Sequence, residues 1–288
     1  MRKFLSVDPI RDVIDQSCRS SNRKVSGVGL WRRLSAAAVL AFVATGASAA
    51  DMAMKAPQPT TTYQWSGCYA GLNVGGGASG ANLSSAVDPG THLLGVDPGV
   101  VAGSGSGGHS GDGLIAGGQV GCNMQSGLLV VGLEGDFDSF SSHTWFTNNS
   151  NTLSDGVTPF TIGQSLTTNY LATIRPRLGI ASDRDFAYLT GGVAFTRVSY
   201  LESYSDGAAP QGGGSAAASK LLVGWVVGAG WEHAVADHWT FRAEYLYASF
   251  PTVNAVGAIT DAGGGANTLR GSSDLAVQLL RAGVNYKF

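Results

Sequence analysis

The chain closes on "LLRAGVNYKF", residues 279–288. From Leu280 the even positions read Leu, Ala, Val, Tyr and Phe, and the odd positions Arg, Gly, Asn and Lys, a period of two carried to the last residue. That period sends alternate side chains to opposite faces of a strand. Chain ends in water ordinarily fray, whereas an apolar final residue in phase with such a face belongs inside a sheet with one very greasy side.

The same pattern recurs up the chain. Strands are predicted at roughly 66–78, 113–124, 127–138, 168–182, 185–199, 220–235, 238–250 and 274–288. Short connections at 125–127, 182–185 and 235–238 alternate with long Gly-rich polar ones at about 79–112, 139–167, 200–219 and 251–273. Tight turns at one end and long loops at the other describe an all-β fold, an eight-stranded antiparallel up-and-down transmembrane β-barrel. On this reading the termini and turns are periplasmic and the long loops extracellular.

The two faces support it. In 221–231 the odd positions are Leu221, Val223, Trp225, Val227, Ala229 and Trp231, opposite Gly224, Gly228 and Gly230. In 239–247 Trp239, Phe241, Ala243, Tyr245 and Tyr247 oppose Thr240, Arg242 and Glu244. An apolar face toward lipid and a polar or tiny face toward the lumen inverts a soluble barrel. A secreted sandwich also alternates, but leaves the continuous apolar faces opposite so many glycines unexplained. Trp225, Trp231, Trp239, Tyr245 and Tyr247 fall at heights that bracket the ~25 Å apolar band as two aromatic girdles.

The other phase names the lumen: Glu134, Asp136, Arg175, Arg177, Glu232, Arg242, Glu244 and Arg281. Counted from the short turns, these charges share one layer, with Glu134 and Asp136 facing the two arginines of the fourth strand. Eight strands enclose a space just wide enough for side chains to fill. A balanced charge layer there plugs the lumen, while the alternative use of the same residues is a narrow pore. Pro176, between Arg175 and Arg177 on the lipid-facing phase, removes one ladder donor, so a bulge or an opened ladder is expected there.

Length and composition set the remaining bounds. Arg32 and Arg33 precede the apolar stretch "LSAAAVLAFVATG" and the small residues of "ASAAD", which reads as a secretory signal cut near Ala49 or Ala50. Three segments follow: 1–50 a signal with an extended basic region, 51–64 a mobile Pro/Thr-rich periplasmic linker, and 65–288 the barrel. The "VIDQSC" context of Cys18 does not suit lipidation. Residues 1–50 carry eight of the 18 basic and three of the 20 acidic groups, so the remainder has a net charge of −7. No basic patch is left for nucleic acid.

Candidate sites are few. Cys68 and Cys122 lie near the same ends of neighbouring antiparallel strands, a register that favours a disulfide in an oxidising periplasm over two buried thiols. His92, His109, His143, His233 and His238 lack metal-ligand spacing and are read as solvated. No metal or other cofactor is expected. The glycines of "NVGGG" and "GLIAGG" precede no helix and so do not cradle phosphate. Ser141, Ser142 and His143 stand together in a predicted loop, which is slender support for a lipid-modifying barrel enzyme, and no catalytic residue is assigned.

With these motifs placed, the chain resembles the alphaproteobacterial outer-membrane β-barrel proteins called outer membrane immunogenic or surface proteins, close to the OmpA-like eight-stranded barrels. The resemblance is carried by "YQWSGCYAGLNVGGG" (63–77), "GLIAGGQVGCNMQ" (113–125), "VVGLEGDFDSF" (130–140), "LATIRPRLGI" (171–180), "AYLTGGVAF" (187–195), "GWVVGAGWEHAV" (224–235), "WTFRAEYLYASF" (239–250) and the closing residues. It implies a structural surface protein without an active site, sometimes described as a porin, whose partners are outer-membrane lipids and lipopolysaccharide. It also implies that Arg281, Gly283, Tyr286 and Phe288 form the signal read by the barrel assembly machinery.

Overall fold

The computed structural model describes residues 62–288; the predicted signal at 1–50, nearly all of the linker at 51–64 and Cys18 lie outside the described residues. Eight strands follow in chain order: β1 Gly67–Val87, β2 Gly107–Ser126, β3 Leu129–Thr152, β4 Pro159–Ser182, β5 Asp185–Asp206, β6 Gly212–Ala234, β7 Trp239–Asp261 and β8 Ala266–Lys287, with one helix, α1 Asp97–Ser104, between β1 and β2. Each strand pairs antiparallel with its chain neighbours, and β8 returns to β1 to close the ring. Tight turns at one end are set by Gly127 (φ 61°) and Asp183 (φ 50°), both in the left-handed region that two-residue hairpins use.

The strands run 20 to 24 residues, about twice what a bilayer needs. At ~3.3 Å per residue and a ~40° tilt the wall stands roughly 50–60 Å high. The loops predicted at 79–112, 139–167, 200–219 and 251–273 are therefore mostly wall. Only 88–106 remains a long connection, and 153–158, 207–211 and 262–265 are short caps.

The reason lies in what each half of the wall touches. Near the tight turns the outward residues are apolar: Leu72 and Val74 on β1, Leu114 and Val120 on β2, Ile174 and Leu178 on β4, Val223 and Val227 on β6. In the far half the same phase carries Asn82, Ser84, Ser199, Ser203 and Ser215, while the inward phase becomes apolar with Leu83, Ile115, Phe160, Ile162, Val198 and Leu269 buried. β1, β5 and β6 keep one phase throughout, while β4 and β7 shift phase by one residue between Thr168 and Ala172 and between Phe250 and Val253; in each the polarity of the two faces inverts. A lipid-facing barrel stands beneath a water-facing one with its own hydrophobic core, and the apolar outer band spans about ten residues, or ~25 Å.

Of the two responses expected at Pro176, the ladder shows the opening and not the bulge. Leu133 pairs with Pro176 across β3–β4, and the β4–β5 register is the same at Ile174↔Val193 and Arg177↔Thr190, so no bulge forms. Next to the proline, pairing lapses over Arg175 and Pro176, and the Thr190 hydroxyl donates to the Pro176 carbonyl at 2.9 Å. Cys68 and Cys122 occupy opposed positions on β1 and β2 and are joined by a disulfide.

Candidate functional site: the lumen and its closures

The lumen is filled at three levels, each with its own chemistry. At the tight-turn end the chain just before β1 folds under the ring. Tyr63 and Trp65 pack with Val130, Ala181, Phe186, Tyr188 and Ala234. The Trp65 indole N–H donates to the Asp183 carbonyl at 3.0 Å, and its backbone N–H to Gln125 Oε1 at 2.7 Å. Lys287 Nζ lies 4.2 Å from the Tyr63 ring centre. The end of the predicted mobile linker is thus a stopper, because two large aromatics gain more from the apolar mouth than from water.

Above it lies the charged layer, built by register. Glu134 stands directly opposite Arg175 on β3–β4, Glu232 opposite Arg242 on β6–β7, and Glu244 opposite Arg281 on β7–β8. Arg175 Nη2 donates to Glu134 Oε1 and Asp136 Oδ2, both at 2.7 Å, and its Nη1 to Glu244 Oε1 at 3.1 Å. Arg242 Nη1 donates to Glu134 Oε2 at 2.6 Å, and Arg281 Nη2 to Glu244 Oε2 at 2.7 Å. Arg177 reaches Glu134 at 3.1 Å and Glu232 at 3.4 Å, and its guanidinium is 4.8 Å from the ring centres of both Tyr69 and Tyr188.

Glycine supplies the room. Arg242 has Gly283 on its other side, Arg281 has Gly75 and Arg177 has Gly132. A Cβ on Gly75 would overlap the Leu280 carbonyl and the Arg281 backbone, and one on Gly192 the backbone of Ile174 and Arg175. The four arginines are at most 1 % exposed. Buried charges of this kind are tolerable only when every one is met by an opposite charge or a hydrogen bond.

The sequence reading placed all eight of these charges together and missed a ninth. Asp138 continues the Glu134, Asp136 phase, is fully buried and accepts from Arg281 and, at 2.8 Å, from Asn73. It stood at the predicted end of a strand that runs on to Thr152. Neutral donors complete the shell: Tyr69 to Glu134 (2.6 Å), Thr173 to Asp136 (2.6 Å), Tyr188 to Glu244 (3.1 Å) and Asn285 to Glu232 (2.7 Å).

The far mouth is closed by the 88–106 connection, whose Leu93 and Val101 join the upper apolar core. His92 pins it. Its Nε2 lies 2.7 Å from Asp206 Oδ2 at the end of β5, and its Nδ1 lies 2.6 Å from Asp261 Oδ2 at the end of β7. A carboxylate accepts but does not donate, so both ring nitrogens donate and His92 is an imidazolium. Burial opposes that charge, yet the hydrogen bonds to the two aspartates outweigh it and raise the His92 pKa. Burial likewise disfavours the Asp206 anion, but the Gly212 N–H and His92 hold its carboxyl below the ordinary range; the Gly265 N–H and His92 do the same for Asp261. A solvated His92 is therefore not what the fold contains. His109 packs against Phe146 with ring centres 4.4 Å apart, whereas His233 and His238 are near the tight turns, the first 2.9 Å from Asp185. No group of metal-binding side chains occurs among the described residues.

Ser142 and His143 lie in β3, in register with Thr168 and Thr167 of β4, rather than in a loop. Trp225, Trp231, Trp239 and Tyr245 are exposed on the outer wall, and Trp225 lies against Tyr247 with ring centres 5.4 Å apart. At the terminus, the Phe288 N–H donates to the Cys68 carbonyl at 3.0 Å, and its exposed ring meets Tyr286 edge-on.

A family model described as outer membrane protein beta-barrel domain matches residues 35–288. The chain is 30 % identical over 261 residues to the 31 kDa outer-membrane immunogenic protein of Brucella melitensis, covering 88 % of this chain and 98 % of that one. It is 27 % identical over 257 residues to the 25 kDa outer-membrane immunogenic protein of Brucella canis, covering 88 % and 95 %. The outer membrane protease OmpT from Escherichia coli is a slighter likeness, with a TM-score of 0.38 and 9 % identity over 80 % of this chain and 99 % of that one, and nothing about activity follows from it.

Two outcomes are expected. Glu134→Ala strips an acceptor from Arg175, Arg177 and Arg242 together and should destabilise the barrel by about 3–5 kcal/mol, read as a lower urea midpoint for the loss of its compact, heat-modifiable gel band. The His92 latch depends on pH with a definite sign. With the His92 pKa raised, its stabilisation is full below ~6.5 and lost as pH rises through the folded value; with the aspartate pKa values lowered, theirs is full above ~4 and lost as pH falls through the folded values. Protection factors across 88–106, which correct for the base-catalysed rise of intrinsic exchange, should be highest between the aspartate and histidine transitions and fall on either side of them, and His92→Asn should abolish the alkaline fall.

Proposed function

The chain belongs to the outer membrane protein β-barrel domain family, and from that premise we propose that it is a closed structural surface barrel rather than a channel or an enzyme. The layer of buried arginines carries this reading. Every guanidinium in it is held by carboxylates from more than one strand, so ions entering the lumen would have to separate charges that have no water to replace them. The aromatic stopper at one end and the latched connection at the other support the same conclusion. A narrow pore using these residues would require all three levels to open at once.

The tight-turn end, where both Tyr63 and Phe288 lie, faces the periplasm on this proposal. The taller polar wall faces outside, where its own apolar core keeps it rigid. Trp231, Trp239 and Tyr286 then form the inner aromatic girdle, and Trp225 with Tyr247 part of the outer one. Arg281 and Gly283 already have structural duties in the charged layer, so an assembly signal at the terminus would rest chiefly on Tyr286 and Phe288, read by the barrel assembly machinery. The named immunogenic relatives support exposure of the outer wall to the cell's surroundings.

Purified full-length protein in planar bilayers should give no unitary conductance, whereas reproducible steps of one size would overturn the closed reading. Val157→Cys, in the 153–158 cap, should react with a membrane-impermeant maleimide on intact cells; labelling only after permeabilisation would reverse the assigned orientation.

A further inference from the structure

β2 and β3 part in the upper wall. Their ladder ends at Ile115↔Phe140, although β2 reaches on to Gly107 and β3 to Thr152. Beyond that point β2 pairs with β1 alone, as far as Leu83↔Gly107, and β3 with β4 alone, as far as Thr152↔Pro159. The β3–β4 register shifts between Ser139 and Ser142, at the level where the β2 pairing stops, and a bulge of this kind bends its strand. Behind the gap, on the inward phase, His109 and Phe146 stand opposite the buried Ala81 and Gln164, with ring centres 4.4 Å apart. The outward residues along the same length of β2 are Gly108, Ser110 and Asp112, all exposed.

The direction of the backbone groups follows from the seam. The Phe288 N–H donates to the Cys68 carbonyl, so Cys68 turns its backbone groups to β8, and the Cys68↔Cys122 pair is one that shares no ladder hydrogen bond. The β1–β2 register runs unbroken from there to Leu83↔Gly107, so odd-numbered residues of β2 bond to β1 and even-numbered ones face β3. Gly108, Ser110 and Asp112 therefore direct their N–H and C=O groups into the gap, where the described residues supply them no ladder partner. Such an edge is a template for a further strand.

Charge selects the kind of strand. No lysine or arginine occurs between Gly67 and Ile174, so β1, β2, β3 and the connections between them hold none. The cations outside the lumen, Arg184, Arg197, Lys220, Arg270 and Lys287, lie on β5–β8 and the turn before β5. Asp112 on the edge and Asp155 in the cap after β3 are exposed and form no ion pair with a lysine or arginine among the described residues.

We propose that the free edge of β2 takes an added strand from another protein, an extended basic segment. Backbone bonds to Gly108, Ser110 and Asp112 hold it, and a lysine or arginine directly opposite Asp112 sets its register. A second copy of this chain is the poorer occupant, since two such edges bring acids together with no cation on either. That the partner comes from outside the cell rests on the outward assignment of the taller wall; the pairing itself does not.

The probe is a fluorescein-labelled peptide of alternating lysine and threonine, and its binding to the full-length protein in neutral detergent micelles is read by fluorescence anisotropy. Lysines opposite Asp112 are the residues whose amides bond to β2, so N-methylating the lysine amides should weaken binding about thirty-fold, whereas N-methylating the threonine amides should leave it unchanged. Asp112→Lys should weaken binding about five-fold, and Asp237→Lys, at the tight-turn end, should not alter it. Ser110→Pro removes a donor on the gap side and none from the β1 ladder, so its heat-modifiable gel band should match that of the unaltered protein while peptide binding falls about five-fold. Should that variant not fold, the two methylated peptides on the unaltered protein decide alone. Equal affinity for the two methylated peptides, or equal affinity of Asp112→Lys and the unaltered protein, would overturn the proposal. Dimers of the unaltered protein that Ser110→Pro abolishes would overturn the basic-partner assignment in favour of a second copy. Because micelles have no sides, these results stand apart from orientation, which the Val157→Cys labelling decides independently.

Discussion

A guanidinium in a ring of eight strands has almost nowhere to go. The lumen is only as wide as the side chains that fill it, so an arginine there needs an anion within reach and free volume beside its stem. Three of the four luminal arginines meet both needs through the ladder itself, with an acid on one neighbouring strand and a glycine on the other. Arg242 lies between Glu232 and Gly283, Arg281 between Glu244 and Gly75, and Arg175 has Glu134 on one side and the space left by Gly192 on the other. Glycines that would weaken an ordinary strand are here what allows the charges to sit inside it.

The second constraint is that one strand serves two solvents. Below the level of Arg197 the outer face is in contact with hydrocarbon, so the lumen takes the polar residues. Above it the outer face is in contact with water and carries serine and asparagine, while leucine, isoleucine and phenylalanine turn in. Burial favours the apolar set wherever water is absent, at ~25 cal/mol for each Å² removed from it. Inside the upper wall, the price of a polar residue is visible in Glu202, which is fully buried and is met by donors from Gln164 and Tyr200 rather than by a cation.

This inversion explains which parts could be read from the sequence. The lipid-level strands were legible because valine, leucine and tryptophan alternate there with glycine and charge, and eight luminal charges followed from their phase alone. Upper wall segments such as 200–206 alternate between residues of smaller contrast, tyrosine with serine and glutamate, and glycine-rich stretches blur the period further; they read as loops. His92 was lost with them, since its two aspartates lie 114 and 169 residues away and meet it only at the rim of a closed ring. Tyr63 and Trp65 were visible as residues but not as a stopper, because the mouth they fill has no counterpart in local sequence. Pro176 produced less disruption than its chemistry suggests, since the Thr190 hydroxyl meets its carbonyl and the registers on both sides hold.

Closure and charge satisfaction are one event in this barrel. Arg281 lies on the last strand, and its partners are divided: Glu244 is on the adjacent β7, but Asp136 and Asp138 are on β3, across the lumen. While β8 is unpaired with β1, those two acids and Asn73 of β1 surround a space that lacks its cation, and Glu134 is still shared by Arg175, Arg177 and Arg242. An open sheet would thus expose carboxylates to a membrane interior that penalises them strongly. The closing residues "LLRAGVNYKF" bring the missing cation with the strand that completes the ring: Arg281 enters the charged layer beside Gly75 as Leu280, Ala282, Val284 and Tyr286 face outward. The seam between β8 and β1 is therefore favoured by the centre of the barrel as well as by its own backbone pairs, and a partly closed sheet has little to hold it short of the complete ring.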